Sequence, residues 1–241
     1  MNILILGHKG MLGHMLVKYF TDKGYNVHTT DARFKSVQFG NMIMNFHGDF
    51  IINAIGAIPQ KTNDFSINAE LPIWLDVTSN VPVIHPGTDC EMDDDEYGIS
   101  KRKARDYIVN NGVRTKIIRA SIIGPELNDK KSLLEWFLNN DEVSCNGFTK
   151  AMWNGITTYE WAVQCEQLMN NWDVYLKETI ISGNCISKFA LLDIIASVFE
   201  KSINILPIEL GIDKCLVADI KTKNIKEQLI ELKEYYYDNR R

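Results

Sequence analysis

Asn2-Ile3-Leu4-Ile5-Leu6-Gly7-His8-Lys9-Gly10-Met11-Leu12-Gly13 is the stretch on which the fold turns. An unbroken apolar run of this length, closed by glycine, reads as a short strand buried on both faces. The next segment, Met11 to Asp22, has apolar residues at three- and four-residue spacing and reads as a helix. The three glycines therefore sit in a GxxGxxG turn between strand and helix. Gly7 permits the tight turn, Gly10 lets backbone approach a pyrophosphate, and Gly13 lets the helix pack closely on the strand. The helix N-terminus adds unpaired N–H groups and a positive dipole end, both of which favour phosphate. Lys9, Met11 and Leu12 share the turn and are candidate contacts with it.

Outward from this turn the pattern repeats. Tyr25 to Thr29, Phe50 to Ile55, Val81 to His85 and Thr115 to Ala120 read as further buried strands, and Asn63 to Ser79 and Tyr97 to Asn110 as further helices. Strands alternating with helices imply an α/β fold with a doubly wound, parallel, Rossmann-type sheet. Phe34 to His47 holds a crossover whose helical pattern Gly40 interrupts. Beyond Gly124 the pattern loosens. Candidate helices lie at Lys130 to Asn139, Thr158 to Asn170, Lys188 to Phe199 and Lys223 to Tyr236, with strand-like pieces near Ile180 and Ile203. The expected organisation is a nucleotide-binding core over residues 1–124 and a small α/β substrate lobe over 125–241, packed together, with no long polar linker and no internal repeat.

Asp31 stands eighteen residues after Gly13, just past the second strand, where a carboxylate accepts hydrogen bonds from an adenosine ribose. Arg33, two residues on, is placed to pair with a 2′-phosphate instead, so NADH and NADPH both remain open as cofactors. Asn53-Ala54-Ile55-Gly56 ends a strand in small residues at the sheet's carboxyl edge, where ligands bind in such folds, and supplies Asn53, Ala54 and Gly56 as further cofactor contacts.

The composition narrows the partners. A formal net charge of -5 without a basic stripe gives nucleic acid little electrostatic support. Met1 leads directly into Ile3 to Leu6, too short a run for a signal peptide or membrane span, so no membrane and a cytoplasmic setting are the expectation. The five cysteines, Cys90, Cys145, Cys165, Cys185 and Cys215, are odd in number and lack any CxxC pair, which argues against a disulfide framework and against zinc. Five reduced, structural thiols are expected. The histidines have no ligand spacing, and no metal is assigned.

Tyr97-Gly98-Ile99-Ser100-Lys101 carries the second chemical pattern, because residues four apart lie one above the other on a helix. A lysine ammonium beside a tyrosine favours the phenolate, which suits the phenol to give its proton to a carbonyl under reduction near neutral pH. Lys101 is also placed to hold the nicotinamide ribose.

Taken together, GHKGMLG at Gly7 to Gly13, DFIINAIG at Asp49 to Gly56, INAELP at Ile67 to Pro72, GTDCEM at Gly87 to Met92, YGISK at Tyr97 to Lys101 and IIRASIIG at Ile117 to Gly124 resemble the extended short-chain dehydrogenase/reductases, in particular their dTDP-4-dehydrorhamnose reductase-like branch. Weaker echoes lie at Trp153 to Ala162 and Ile186 to Ala196. The resemblance implies an oxidoreductase of deoxysugar-nucleotide (rhamnose-type) biosynthesis: NAD(P)H-dependent reduction of a nucleotide-linked 4-keto-6-deoxyhexose, with a Thr-Tyr-Lys trio at the site. Thr88 would bond the keto oxygen, Tyr97 would protonate it, Lys101 would tune Tyr97, and Asn68 would help position Lys101 through water. A hydroxyl and a phenol aimed at one oxygen stabilise the charge that develops there. Two positions depart from the family pattern: only Asp89 to Glu96 separate Thr88 from Tyr97, and Gly87 stands where Ser is usual.

For the substrate, Thr88, Asp89, Arg119, Lys150 and Trp153 are the candidate contacts, since a nucleoside diphosphate needs donors and a base needs a surface to stack on. The acidic run Asp93-Asp94-Asp95-Glu96 reads as a helix N-terminus complementing the dipole, or as a guard against anionic substrate. The expected partners are a nucleotide sugar and a second copy of the chain. Two alternatives stand beside the reductase: a non-catalytic regulatory subunit of the same fold, and a sugar-nucleotide epimerase.

Overall fold

The strands β1 (Asn2–Leu6), β2 (Asn26–Thr29), β3 (Phe50–Asn53), β4 (Val83–Gly87) and β5 (Thr115–Arg119) alternate with helices α1 (Met11–Asp22), α2 (Val37–Met44), α3 (Ser66–Thr78) and α4 (Glu96–Asn111) in a computed structural model that describes residues 1–128 and 130–238. Two units form. The first comprises Met1–Arg119 with Ala162–Thr179, the second Ala120–Trp161 with Ile180–Arg241.

In the first unit the sheet runs β2, β1, β3, β4, β5. β1 pairs in parallel with β2 and β3, β3 with β4, and β4 with β5. Helices cover both sides of the parallel sheet, which is the expected α/β architecture. Its strands bury both faces: Ile3 to Leu6, Ile51, Ile52, Val83, Ile84, Ile117 and Ile118 are all essentially inaccessible, as two-sided coverage demands. α2 forms despite Gly40, started by Ser36, whose hydroxyl accepts the Phe39 N–H; Phe39 and Ile43 then bury against Leu71 and Leu75 of α3. Tertiary burial thus outweighs the cost of one glycine. α3 likewise continues through Pro72.

A cut at residue 124 assigns Ala162–Thr179 to the second unit, whereas the structure gives it to the first. The reason is a bond set inside the first unit: Glu166 accepts from the hydroxyls of Tyr19 and Tyr25 at 2.6 and 2.8 Å, and Trp172 stacks its ring 5.4 Å from Phe50. Asp76 of α3 fastens the start of β5. Its buried carboxylate accepts from the backbone N–H groups of Val113, Arg114 and Thr115 at 2.7–3.2 Å.

The second unit is built on short strand pairs. Ser144–Phe148 pairs in parallel with Asn204–Ile208, Ile122–Ile123 with Ile156–Thr157, and Ile181 and Ser182 with Ile220 and Lys221, while Met152–Trp153 pairs antiparallel with Ile186–Ser187. Helices Leu133–Leu138, Lys188–Phe199 and Ile225–Leu232 pack with them. Cys185 and Cys215 are joined by a disulfide, which corrects the expectation of five thiols; Cys90, Cys145 and Cys165 stand outside it as thiols. Loops bring the two cysteines together across 30 residues, a closure that sequence spacing does not announce. Among the described residues no helix is long and apolar enough to cross a membrane.

Candidate active site

A cleft of about 550 Å³ opens at the carboxyl ends of β1, β2 and β3, lined by Gly7, Lys9, Gly10, Asp31, Arg33, Ala54 and Gly56 among others. Its floor is the glycine turn. Gly7 takes φ +78°, and a Cβ on Gly13 would lie 2.0 Å from the Gly7 carbonyl oxygen, so α1 can approach β1 only with glycine there. Gly10 is the N-cap of α1 and offers no side-chain cap, which leaves first-turn N–H groups to an outside acceptor. Met11 and Leu12 open that turn, with Leu12 buried under it. Lys9 Nζ donates to Asp31 Oδ1 at 2.6 Å, and His8 Nε2 lies 3.8 Å from the same oxygen. The Lys9 bond, foremost, holds the Asp31 carboxyl below its usual range. Arg33 and Lys35 line the cleft beside Asp31, Lys35 pairing with Glu70 at 2.6 Å. Uncapped N–H groups, a cradle that tolerates no Cβ, and a carboxylate next to cations are a donor and acceptor set that fits a dinucleotide.

Asn53 does not line this cleft. It is buried, with Nδ2 3.1 Å from His85 Nδ1 and Oδ1 accepting the Ile55 N–H, so it shapes the strand end rather than meeting a ligand.

The second cluster lies at the end of β4 and the start of α4. Thr88 caps the single 3₁₀ turn Asp89–Met92, and Asp95 caps α4 by accepting the Gly98 N–H at 2.7 Å. Asp94 pairs with Arg102 at 3.3 Å. The acidic run is therefore helix-start charge, the first of its two readings. By these two turns the chain brings Tyr97 back beside Thr88, whose hydroxyl lies near enough to favour the phenolate. Thr88 donates in turn to Asp89 Oδ1 at 3.0 Å. Burial, more than Cys90, Asp89 or Glu91, drives the Tyr97 phenol well above its usual range, against the pull of Thr88. Lys101 is itself buried, and that burial, foremost, holds its ammonium below its usual range.

Lys101 reaches toward β3. A Cβ on Gly56 would lie 3.5 Å from Lys101 Nζ and 3.3 Å from Asn68 Oδ1, which places the ammonium at the rim of the glycine cleft. Asn68 is buried and fixed by three bonds, accepting from Ala57 N at 2.8 Å and donating to Ala57 O at 2.9 Å and Ser100 Oγ at 3.2 Å. Beneath, His85 is wholly buried, and burial, then Lys101, keeps it neutral far below its usual value.

Three expected substrate contacts fare differently. Arg119 is only 5% exposed; its guanidinium donates to Thr88 O and pairs with Glu91 and Glu178, while Nη2 is buried without a hydrogen-bond partner among the described residues. Trp153 is buried, its ring N–H donating to Ser121 Oγ at 2.8 Å and its face covering Gly155, which removes it as a stacking platform. Lys150 is exposed and paired with Glu209 at 3.0 Å. Glu91 was not singled out by its sequence, although Thr88 and Glu91 have capping-box spacing and both capping-box bonds form. Burial raises its carboxyl despite Arg119 and the Thr88 N–H.

Residues 3–59 match the NAD dependent epimerase/dehydratase family, the segment that holds the glycine turn, Asp31 and the end of β3. No curated protein matches the chain. Solved structures do: a dTDP-4-dehydrorhamnose reductase from Bacillus anthracis in complex with NADP is 15% identical, with a TM-score of 0.83 over 98% of this chain and 99% of that one. A GDP-mannoheptose C4 reductase from Campylobacter jejuni with NADP bound is 13% identical, TM-score 0.73, over 98% of each chain. A dTDP-glucose 4,6-dehydratase from Bacillus anthracis in complex with NAD is 14% identical, TM-score 0.74, over 99% of this chain and 97% of that one. Over its opening segment the chain is thus similar to the NAD dependent epimerase/dehydratase family, and over nearly its whole length it has the fold of these extended, nucleotide-sugar-handling relatives.

Proposed function

We propose that this protein is an NAD(P)H-dependent oxidoreductase that reduces a nucleotide-linked keto sugar, of the 4-keto-6-deoxyhexose class. The observation that carries this is the meeting of three groups: a half-buried Tyr97 phenol, the Thr88 hydroxyl beside it, and a buried Lys101 at the rim of a dinucleotide cleft. The reductases and dehydratase of like fold, bound to NADP or NAD, support the cofactor class. Gly7, Lys9, Gly10, Met11 and Leu12 would hold the pyrophosphate, Asp31 or Arg33 the adenosine ribose or its phosphate, and Ala54, Gly56, Tyr97 and Lys101 the nicotinamide end. The reduced nicotinamide supplies a hydride when bound. Thr88 would donate to the keto oxygen and Tyr97 would deliver its proton there as negative charge develops, with Lys101 stabilising the phenolate left behind. Desolvation raises the phenol and so favours the protonated form from which this transfer starts. Asp89 and exposed Lys150 remain as proposed contacts to the sugar nucleotide.

The test is incubation with dTDP- and UDP-linked 4-keto-6-deoxyglucose, with and without a 3,5-epimerase, and reduced cofactor deuterated at the transferred position. Deuterium at sugar C4 in the product is the expected result. Cofactor binding without transfer to any sugar would favour a non-catalytic subunit, and sugar inversion without net cofactor oxidation an epimerase.

A further inference from the structure

Thr88 is held through both of its backbone polar groups. Its N–H donates to Glu91 Oε1 at 3.0 Å, and its carbonyl accepts from Arg119 Nε at 2.9 Å. The two side chains that do this are themselves paired, with Arg119 Nε 3.2 Å from Glu91 Oε2, and both are buried. Glu178 lies 3.7 Å from Arg119 Nη1 and takes the Arg105 guanidinium at 2.8–3.0 Å, so charge alternates along Glu91, Arg119, Glu178 and Arg105. Gly87 makes room for the pair: a Cβ there would lie 2.9 Å from Glu91 Oε1 and 3.0 Å from Arg119 Cβ. The serine usual at that position in the resembled family would collide with it. Farther along the loop, Arg102 donates to the carbonyls of Glu91 and Asp93 at 3.1 and 3.4 Å.

We propose that the buried Glu91–Arg119 pair is the positioning device of this site, clamping the peptide groups on either side of Thr88 so that its hydroxyl meets Tyr97 across a loop of only eight residues. The proposal rests on the reductase reading of the site. A buried ion pair is costly to desolvate and is weak evidence for stability alone. This one instead engages the backbone of the residue whose hydroxyl bears on the reaction, and in doing so replaces the constraint that a longer, independently folded loop would supply. Glu91 and Arg119 act through Thr88 and touch no substrate.

The experiment is a double-mutant cycle on cofactor oxidation, with kcat and KM separated. Glu91→Ala is expected to lower kcat about tenfold or more, change KM less than about twofold, and cost less than about twofold further in a Thr88→Val background. Glu91→Gln, which keeps an acceptor for the Thr88 N–H, is expected to recover most of the loss. Losses that multiply in the double variant would make Glu91 independent of Thr88 and overturn the proposal, as would a raised KM with kcat intact. If Glu91→Ala does not fold, Arg119→Lys, which keeps the charge and loses the planar guanidinium, enters the same cycle. If the wild type oxidises no cofactor, the reductase reading has failed and the clamp is read from crystal structures. A Thr88 hydroxyl that lies beside Tyr97 in wild type and is displaced in Glu91→Ala supports it; one in the same place in both, or one already away from Tyr97 in wild type, overturns it.

Discussion

Tyr97 and Thr88 lie side by side although only eight residues part them in the chain. One turn of 3₁₀ helix capped by Thr88 itself, followed by an α-helix capped by Asp95, reverses the chain in that space. The short loop therefore completes the Thr-Tyr pair, and its length gives no physical reason to read the protein as binding-only.

Asp31 governs the adenosine end of the cleft. Replacing it with alanine removes the acceptor that a ribose 2′-OH would use and frees Lys9, which it holds at 2.6 Å. Asp31→Ala is expected to weaken NADH binding about tenfold, roughly 1.4 kcal/mol, and to leave NADPH binding equal or tighter, since a carboxylate repels the 2′-phosphate. Fluorescence titration of both cofactors checks this; an equal loss for the two would remove Asp31 from the ribose site.

Asp76 gives the first unit a defined acid response. Burial works to raise its pKa, but the hydrogen bonds from the N–H groups of Val113, Arg114 and Thr115 prevail and lower it. A depressed carboxylate contributes stability that is fully present above the unfolded value of about 3.9 and is lost as pH falls through the folded one. Asp76→Ala is expected to cost about 3 kcal/mol at pH near 7, with the gap from wild type closing in acid. Urea unfolding at several pH values measures it, and a gap that stays constant into acid would refute the assignment.

The disulfide predicts a thiol count. Without reductant the denatured protein should show three reactive thiols, Cys90, Cys145 and Cys165, and after reduction five. Cys185→Ser should destabilise the second unit by about 3–4 kcal/mol under oxidising conditions, from the loop it no longer closes, and by little under reducing ones. Disulfides persist in oxidising surroundings, so this bond and the expected cytoplasmic setting pull in opposite directions. Five thiols in the freshly isolated protein would favour the cytoplasm.

The first unit was legible because its signals are local. Glycines at 7, 10 and 13 answer backbone demands within one turn, and Tyr97 and Lys101 share a helix face by spacing alone. The features that escaped depend on contacts distant in sequence. Arg119 reads as a phosphate ligand until Glu91, 28 positions earlier, and Glu178, 59 positions later, are seen to pair with it. Trp153 reads as a stacking surface until Ser121 and Gly155 close over it. The strand Ser144–Phe148 carries neither alternation nor an apolar run, and exists because Asn204–Ile208 lies beside it. That burial raises Tyr97 and lowers Lys101 is likewise invisible in their spacing.

The most direct test of the reductase mechanism is loss of reduced-cofactor absorbance by Tyr97→Phe beside wild type, with saturating 4-keto sugar nucleotide and with cofactor affinity measured separately. The expected result is a rate lower by about 10²–10⁴-fold with cofactor binding changed less than about twofold, because the phenylalanine keeps the packing and removes only the proton donor. A Phe variant that oxidises cofactor at the wild-type rate would contradict the mechanism.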